Sequence, residues 1–98
     1  MSAASEIGHE QDGGRGAFFF ERDGERVGEM TYSRRGPALV NIDHTEVDES
    51  LKGQGVGRRM LDAAVAWARS SGARISATCP YARAQFEKDT TIQDVFER

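Results

Sequence analysis

The most informative stretch of the sequence is Leu51-Lys52-Gly53-Gln54-Gly55-Val56-Gly57-Arg58-Arg59-Met60-Leu61. Its three glycines stand at every second position, where the absence of a Cβ allows positive φ and close approach of a ligand. A helix that begins here leaves its first N–H groups unpaired, and with the positive end of the helix dipole they attract phosphate. The stretch therefore predicts a loop that binds an anion, such as a pyrophosphate, beside the positive charges of Lys52, Arg58 and Arg59.

Two familiar phosphate-binding motifs do not fit this stretch. A P-loop needs Gly, four residues and then Gly-Lys-Ser/Thr, a string that the chain does not contain. The dinucleotide fingerprint needs G-x-G-x-x-G after an early strand, whereas the spacing here is G-x-G-x-G. A glycine-rich turn between a strand and a helix, with no ligand, is the alternative interpretation.

Length and composition indicate one small soluble domain: 98 residues, 38% hydrophobic and 30% charged. A net charge of −3 argues against a partner bound through nucleic-acid phosphates. No apolar run is long enough to span a bilayer, and residues 1–16 lack the apolar segment of a secretory signal, so we expect a cytoplasmic protein with no membrane partner. Cys79 is the single cysteine, which excludes an internal disulfide, and with His9 and His44 it gives no zinc spacing, so no metal is expected.

Local patterns predict a flexible tail over residues 1–16, followed by six elements in the order β-β-β-α-β-α. The Asp23-Gly24 pair is typical of a tight hairpin turn, Gly72 of a helix end and Pro80 of a first helical turn. The predicted strands cover residues 17–21, 26–33, 38–47 and 74–78, and the predicted helices cover 55–71 and 80–88, with a last turn over 92–96. A strand, helix and strand in succession imply a parallel crossover. The expected fold is therefore an α+β domain over residues 17–98, with a mixed, mostly antiparallel sheet and helices packed on it.

The glycine stretch also resembles a family signature. The GCN5-related N-acetyltransferases (GNAT) carry Q/R-x-x-G-x-G/A at their acetyl-CoA site, and Lys52-Gly53-Gln54-Gly55-Val56-Gly57 is similar to it. Lysine keeps the charge of the first position but lacks the planar fork of arginine. With His44-Thr45-Glu46-Val47 and Cys79-Pro80-Tyr81, the chain resembles the branch of very small GNAT-like proteins, the YjdJ-type predicted acetyltransferases. It departs from them at Asp89-Thr90-Thr91-Ile92, where the family often has His-Pro-Glu-Tyr.

This resemblance spans residues 17–88 and implies a minimal GNAT fold that binds acetyl-CoA, or coenzyme A (CoA), as co-substrate. The activity it implies is acetyl transfer to an amine. The two helices that GNAT enzymes normally place between their first strands have no room here, so the acceptor side would be shallow and would suit a protein or another large acceptor. We expect a monomer or weak homodimer. The residues implied to bind CoA are Val47, Lys52, Gly53, Gln54, Gly55, Val56, Gly57 and Arg58.

Three residues near the glycine stretch are candidates for catalysis. His44 and Glu46 alternate on one strand, so they share a face, and histidine titrates near neutral pH, which suits a general base. Cys79 stands at a predicted helix start, where a thiol pKa falls, so acyl transfer through Cys79 is open beside direct transfer. The alternatives are an exposed polar pair and a buried thiol. Phe86 replaces the tyrosine that larger GNAT enzymes often use as a proton donor, and Tyr81 is a candidate substitute.

Two other functions stay open from the sequence. A CoA-binding module without catalysis would have the same glycine loop, with His44 and Cys79 in structural roles. An interaction domain would have the loop without CoA. Binding of CoA separates the last from the other two, and activity that responds to substitution of His44 or Cys79 separates the first two.

Overall fold

A computed structural model describes residues 7–98 as one five-stranded sheet with both α-helices on a single face. The strands lie side by side in chain order. The first four are antiparallel and the last pair is parallel. Their bounds are Ile7–Asp12 (β1), Arg15–Arg22 (β2), Glu25–Gly36 (β3), Leu39–Val47 (β4) and Arg74–Ala77 (β5).

Two α-helices and two 3-10 turns complete the part of the chain that the structure describes. Helix α1 spans Val56–Ser71 and is flanked by its two cap residues, Gly55 and Gly72, which both have positive φ. Helix α2 spans Pro80–Lys88, with the proline in its first turn. The 3-10 turns cover Glu49–Leu51 and Thr90–Val95. Among the described residues, no helix is both long and apolar enough to cross a membrane.

One hydrophobic core lies between the sheet and the helices. Alternate residues of the strands point into it, as period-2 alternation requires, and α1 and α2 contribute the stripe that faces them. Fully buried members include Met30, Ile42, Met60, Leu61, Ile75 and Phe86. The opposite face of the sheet carries mostly polar side chains, with Phe19 beneath the Arg26 guanidinium, and no helix of residues 7–98 covers it.

The α+β fold with a mixed, mostly antiparallel sheet is as the sequence predicts. The Asp23-Gly24 turn, the end of α1 at Gly72 and the range of α2 are confirmed. The predicted tail over residues 1–16 is wrong for residues 7–16, because they form β1 and the start of β2. Residues 1–6 lie outside the described part of the chain. The element order is therefore β-β-β-β-α-β-α.

Strand β1 escapes sequence analysis because its own residues carry a weak strand pattern and its stability comes from contacts. It pairs with β2 along its whole length, from Ile7↔Phe20 to Asp12↔Arg15. The His9 ring stacks on Phe18 at 4.0 Å between centroids, and His9 Nε2 lies 2.6 Å from the Tyr32 hydroxyl. These contacts join β1 to β2 and β3 and supply what strand propensity does not.

Strand β4 contains a bulge that positions the candidate site. In its pairing with β3, Thr31 lies opposite His44 but Tyr32 lies opposite Ile42, so Asp43 is an extra residue. Before the bulge, Val40 and Ile42 face the helices. Without it, His44 would continue that face. The extra residue instead places His44 on the uncovered face of the sheet and turns the residues on either side of Glu46 toward the helices.

The placement of His9 predicts a pH dependence of stability. Burial lowers the pKa of His9 below its ordinary value of 6.5. The unfolded chain therefore binds more protons between the two values, and stability falls as the pH drops through 6.5. His9→Phe keeps a ring against Phe18 but removes this titration. The unfolding temperature of wild type minus that of the variant should therefore become smaller as the pH is lowered from about 8 to about 5.5. An equal difference at both values, measured by circular dichroism, would contradict the burial of His9.

Candidate active site

A cleft of about 330 Å³ opens at the carboxyl end of β4. One wall is the strand itself, the floor is the buried Leu51, and the far wall is the start of α1 with the ring of Tyr81 from α2. The complete lining is Thr45, Val47, Leu51, Lys52, Gly53, Gly55, Val56, Gly57 and Tyr81. The cleft thus brings the glycine stretch, the strand before it and the second helix to one place.

The glycine loop adopts the conformation that its sequence requires. Gly53 and Gly55 have φ of 84° and 74°, values that other residues reach only with strain, and a Cβ at either would meet no neighbour within 4 Å. Gly57, in the first turn of α1, is needed for a different reason. A Cβ there would lie 3.3 Å from the ring and hydroxyl of Tyr81. The glycines therefore keep both the backbone and the cleft open.

The pairing of β4 with β5 ends before β4 does. Their last paired residues are Ile42 and Ala77, and the N–H groups of Thr78 and Cys79 both donate to the Ile42 carbonyl at 3.1 Å. Beyond this point β4 continues to Val47 with β3 on one side and no paired strand of residues 7–98 on the other. A free strand edge therefore runs along the cleft, and such an edge presents backbone donors and acceptors to an extended ligand.

A second groove, of about 540 Å³, adjoins the cleft across β4. It shares Thr45, Val47 and Lys52 with the cleft. Its other lining residues come from Arg26–Glu29 on β3 and from Glu46 and Asp48. The two cavities together give the end of β4 a ligand-accessible surface on both sides.

The charges of this second groove are mostly acidic and partly paired. Arg26 donates to Glu29 at 3.0 Å and to Glu10 at 3.1 Å, and Lys52 lies 3.5 Å from Glu49. The side chain and N–H of Ser50 donate to Asp48, which lowers the pKa of that carboxyl. Glu46 is three-quarters exposed and its carboxylate contacts only the ring of His44 among the ion pairs of the described chain.

His44 and Glu46 lie together on the uncovered face of the sheet, as their spacing predicts. His44 Nε2 is 3.6 Å from Glu46 Oε2, and the side chains are 65% and 75% exposed. Both side chains are therefore open to solvent, with the carboxylate beside the imidazole ring. The pair borders the second groove through Glu46.

Cys79 lies elsewhere. It is 3% exposed, and its Sγ is 3.3 Å from the hydroxyl of Thr45, on the side of β4 that faces the helices. Strands β4 and β5 are neighbours, as expected, but the β4 bulge turns His44 to the opposite face. The structure therefore does not bring His44 and Cys79 into contact, and Cys79 is absent from the lining of the cleft.

Two predicted CoA-binding side chains are occupied elsewhere. The Arg58 guanidinium donates to Asp62 at 2.8 Å, to Gln85 at 3.0 Å and to Asp89, which joins α1 to the end of α2. Gln54 donates to the Ser50 carbonyl and stiffens the loop from behind. Asp89 also accepts from Thr91, so the segment that departs from the family pattern has a structural role.

Comparison with known proteins agrees with this geometry. A family model described as GCN5-related N-acetyl-transferase matches residues 17–95. The chain belongs to the GCN5-related N-acetyltransferase family. It is 34% identical to a GCN5-like protein from Staphylococcus aureus whose solution structure was determined by NMR, with a TM-score of 0.72 over 95% of this chain and 90% of that one.

Two further relatives extend the comparison. Protein NATD1 of Bos taurus is 28% identical over 69 residues, which is 70% of this chain and 60% of that protein. The GNAT chain therefore spans about 60% of the length of this curated relative. The aminoglycoside N-acetyltransferase AAC(6')-Iy, solved in complex with CoA, is 19% identical with a TM-score of 0.57 over 89% of this chain and 71% of its own. At that identity the likeness shows the fold alone.

Sequence reasoning missed Thr45 as a site residue and gave Tyr81 only as a substitute proton donor. Thr45 lines both cavities, and the ring of Tyr81 closes the far wall of the cleft. Burial raises the pKa of Tyr81, so its hydroxyl is protonated at neutral pH. The signal for Tyr81 was its place one residue after a helix-starting proline. Thr45 gave no signal, because its direction depends on the β4 bulge.

Proposed function

We propose that this GNAT protein transfers the acetyl group of acetyl-CoA directly to an amine. One observation carries the proposal: β4 separates from β5 beside a glycine loop at a helix N-terminus, so a free strand edge and an anion site share one cleft. The pyrophosphate of CoA would accept from N–H groups of the Gly53–Gly57 loop, with Lys52 adding charge. The amides of its pantetheine arm would bond the free edge of β4 near Thr45 and Val47.

The residues of the cleft fit such a ligand. Gly53 and Gly55 have positive φ and no atom within 4 Å of where a Cβ would lie, and a Cβ at Gly57 would press on the ring of Tyr81. The lining is otherwise mostly apolar, which suits the hydrocarbon parts of a pantetheine arm. Arg58 is left out of the proposed site, because Asp62, Gln85 and Asp89 hold its guanidinium.

The acceptor amine would enter through the second groove. Its carboxylates from Glu29, Glu46 and Asp48 outnumber the cations of Arg26 and Lys52, which favours a positively charged acceptor. The open groove is lined by Glu29 and Glu46 from the uncovered face of the sheet and by Thr45 and Val47 from the face toward the helices. An open groove places few limits on the size of the acceptor, which supports a protein amine or another large amine over a small enclosed metabolite.

The proposed chemistry uses groups on both sides of β4. His44, with Glu46 to stabilise its charged form, would accept the proton of the attacking amine. The amine nitrogen would then bond the thioester carbon while the carbon–sulfur bond breaks. Tyr81 would return a proton to the CoA thiolate, because burial keeps its hydroxyl protonated. Cys79 would have no covalent part, since it is buried behind Thr45.

A CoA-binding module without catalysis is the second candidate. The observation that favours it is the exposure of His44, whose ring has Glu46 as its one ion-pair partner among the described residues. A general base is usually held more firmly. The two functions share the cleft and differ only in turnover.

Binding is tested by thermal unfolding with CoA. A ligand at about 100 times its Kd stabilises the folded state by roughly 2.7 kcal/mol, so millimolar CoA should raise the unfolding temperature. Gly57→Val places a branched side chain against Tyr81 and should abolish the rise, while helix formation tolerates valine better than glycine. The control is Gly14→Val, since a Cβ there meets nothing within 4 Å. A rise that survives Gly57→Val, or no rise in wild type, would contradict the proposed site.

Catalysis is tested by release of CoA thiol from acetyl-CoA in the presence of lysine peptides, polyamines and aminoglycosides. Loss of a general base typically lowers the rate by about 10²-fold or more, so the rate of His44→Gln should fall by that amount. The rate of His9→Phe, the control at the other histidine, should not fall. Cys79→Ala should retain most of the rate. A hydroxylamine-sensitive acetyl group on Cys79 would contradict direct transfer. Equal rates in wild type and His44→Gln would exclude His44 as the base.

A further inference from the structure

Asn41 is a buried amide on the face of the sheet that no helix covers. The residue is 3% exposed, although its neighbours on the two adjacent strands, Ser33 and Ser76, are polar and only half-buried. A buried amide costs free energy unless its donors and acceptor are bonded. In the described residues, every buried side-chain nitrogen and oxygen has a partner, Asn41 included.

The partners of Asn41 come from both sides of the point where β4 and β5 separate. Its Nδ2 donates to Asp43 Oδ1 at 2.8 Å and to Thr78 Oγ1 at 3.0 Å. Its Oδ1 accepts from the Ser76 hydroxyl at 2.8 Å. Asp43 Oδ1 also accepts from Ser33 on β3 at 3.0 Å. Asn41 and Asp43 together therefore link β3, β4 and β5.

The positions of these partners define what the network holds. Asp43 is the extra residue of the β4 bulge, and Thr78 is the first residue after β5. The network therefore ties the residue that bends β4 to the residue at which β5 leaves the sheet. A fully bonded polar network of this kind fixes one arrangement of its members more strictly than apolar packing does.

We infer that Asn41 and Asp43 are positioning residues for the acyl-pantetheine end of the cleft. They set the angle at which β4 leaves β5, and hence the place of the free edge at Thr45 and Val47. The glycine loop is positioned separately, by the start of α1 and the buried Leu51. This inference rests on the proposed function, and it assigns the two ends of the cleft to different supports.

The inference predicts that disturbing the network weakens one end of the ligand only. Asn41→Asp places a second carboxylate against Asp43, and two adjacent carboxylates repel. The variant should bind acetyl-CoA about ten-fold more weakly, a coupling common within one hydrogen-bond network, while its affinity for 3′,5′-ADP, which lacks the pantetheine arm, stays unchanged. Isothermal titration calorimetry measures both ligands.

The double variant Asn41→Asp/Asp43→Asn tests the pairing itself. It exchanges the two groups, so the amide at position 43 can donate to the carboxylate at position 41. The hydroxyls of Ser33 and Ser76 already donate, and the Thr78 hydroxyl, which accepts from Asn41 in the wild type, can turn to donate. Acetyl-CoA affinity should return toward the wild-type value. Gln11→Glu, which adds one negative charge on β1, is the control and should change neither affinity. If Asn41→Asp fails to fold, Ser76→Ala serves as the second variant. It removes a single hydrogen bond of the network and should weaken acetyl-CoA binding by a smaller factor.

Three results would overturn the inference. If Asn41→Asp weakens the binding of both ligands equally, the variant has lost structure generally. If its affinity for acetyl-CoA is unchanged, the network does not support the free edge. If the double variant does not regain affinity for acetyl-CoA, the pairing of positions 41 and 43 is not the cause of the weaker binding. Each leaves wild-type CoA binding in place. Wild type that binds neither ligand would instead overturn the proposed function itself.

Discussion

The single extra residue in β4 is the constraint on which the candidate site depends. Asp43 interrupts the alternation of the strand, so Ile42 and His44, which regular alternation would place on one face, lie on opposite faces. The same interruption lies beside the last bonds between β4 and β5. The residues after it therefore have one strand edge free and face a cleft on the helix side. A regular β4 paired fully with β5 would leave no such edge.

The helix that crosses between β4 and β5 supplies the other half of the site. Because the crossover returns to pair with β4, the start of α1 necessarily lies at the end of that strand, where the free edge is. Gly53 and Gly55 turn the chain there in conformations that other residues adopt only with strain. The glycine loop at a helix N-terminus and a free strand edge thus lie together because of the topology. The topology of these elements therefore places both parts of the proposed CoA site within one small sheet-and-helix unit.

What could be predicted from the sequence was local. The glycine loop, the Asp23-Gly24 hairpin and the proline start of α2 each depend on the backbone preferences of one or two residues, and each was confirmed. Strand β1 and the β4 bulge depend on partners distant in sequence, and both were missed. The bulge also decided which candidate residues meet, because counting alternate positions along a strand fails once one residue is extra. His44 and Glu46, both after the bulge, kept their predicted relation, whereas His44 and Cys79 lie on opposite sides of β4.

In the proposed complex, a single CoA molecule contacts both the free edge of β4 and the glycine loop. Amide hydrogen exchange with and without CoA, read residue by residue by NMR, tests it most directly. We expect CoA to slow amide exchange in two separate segments, residues 44–47 and 53–58, and to leave the exchange rates of β1 unchanged. Protection confined to the glycine loop would contradict the role of the strand edge, and no protection in either segment would contradict CoA binding in this cleft.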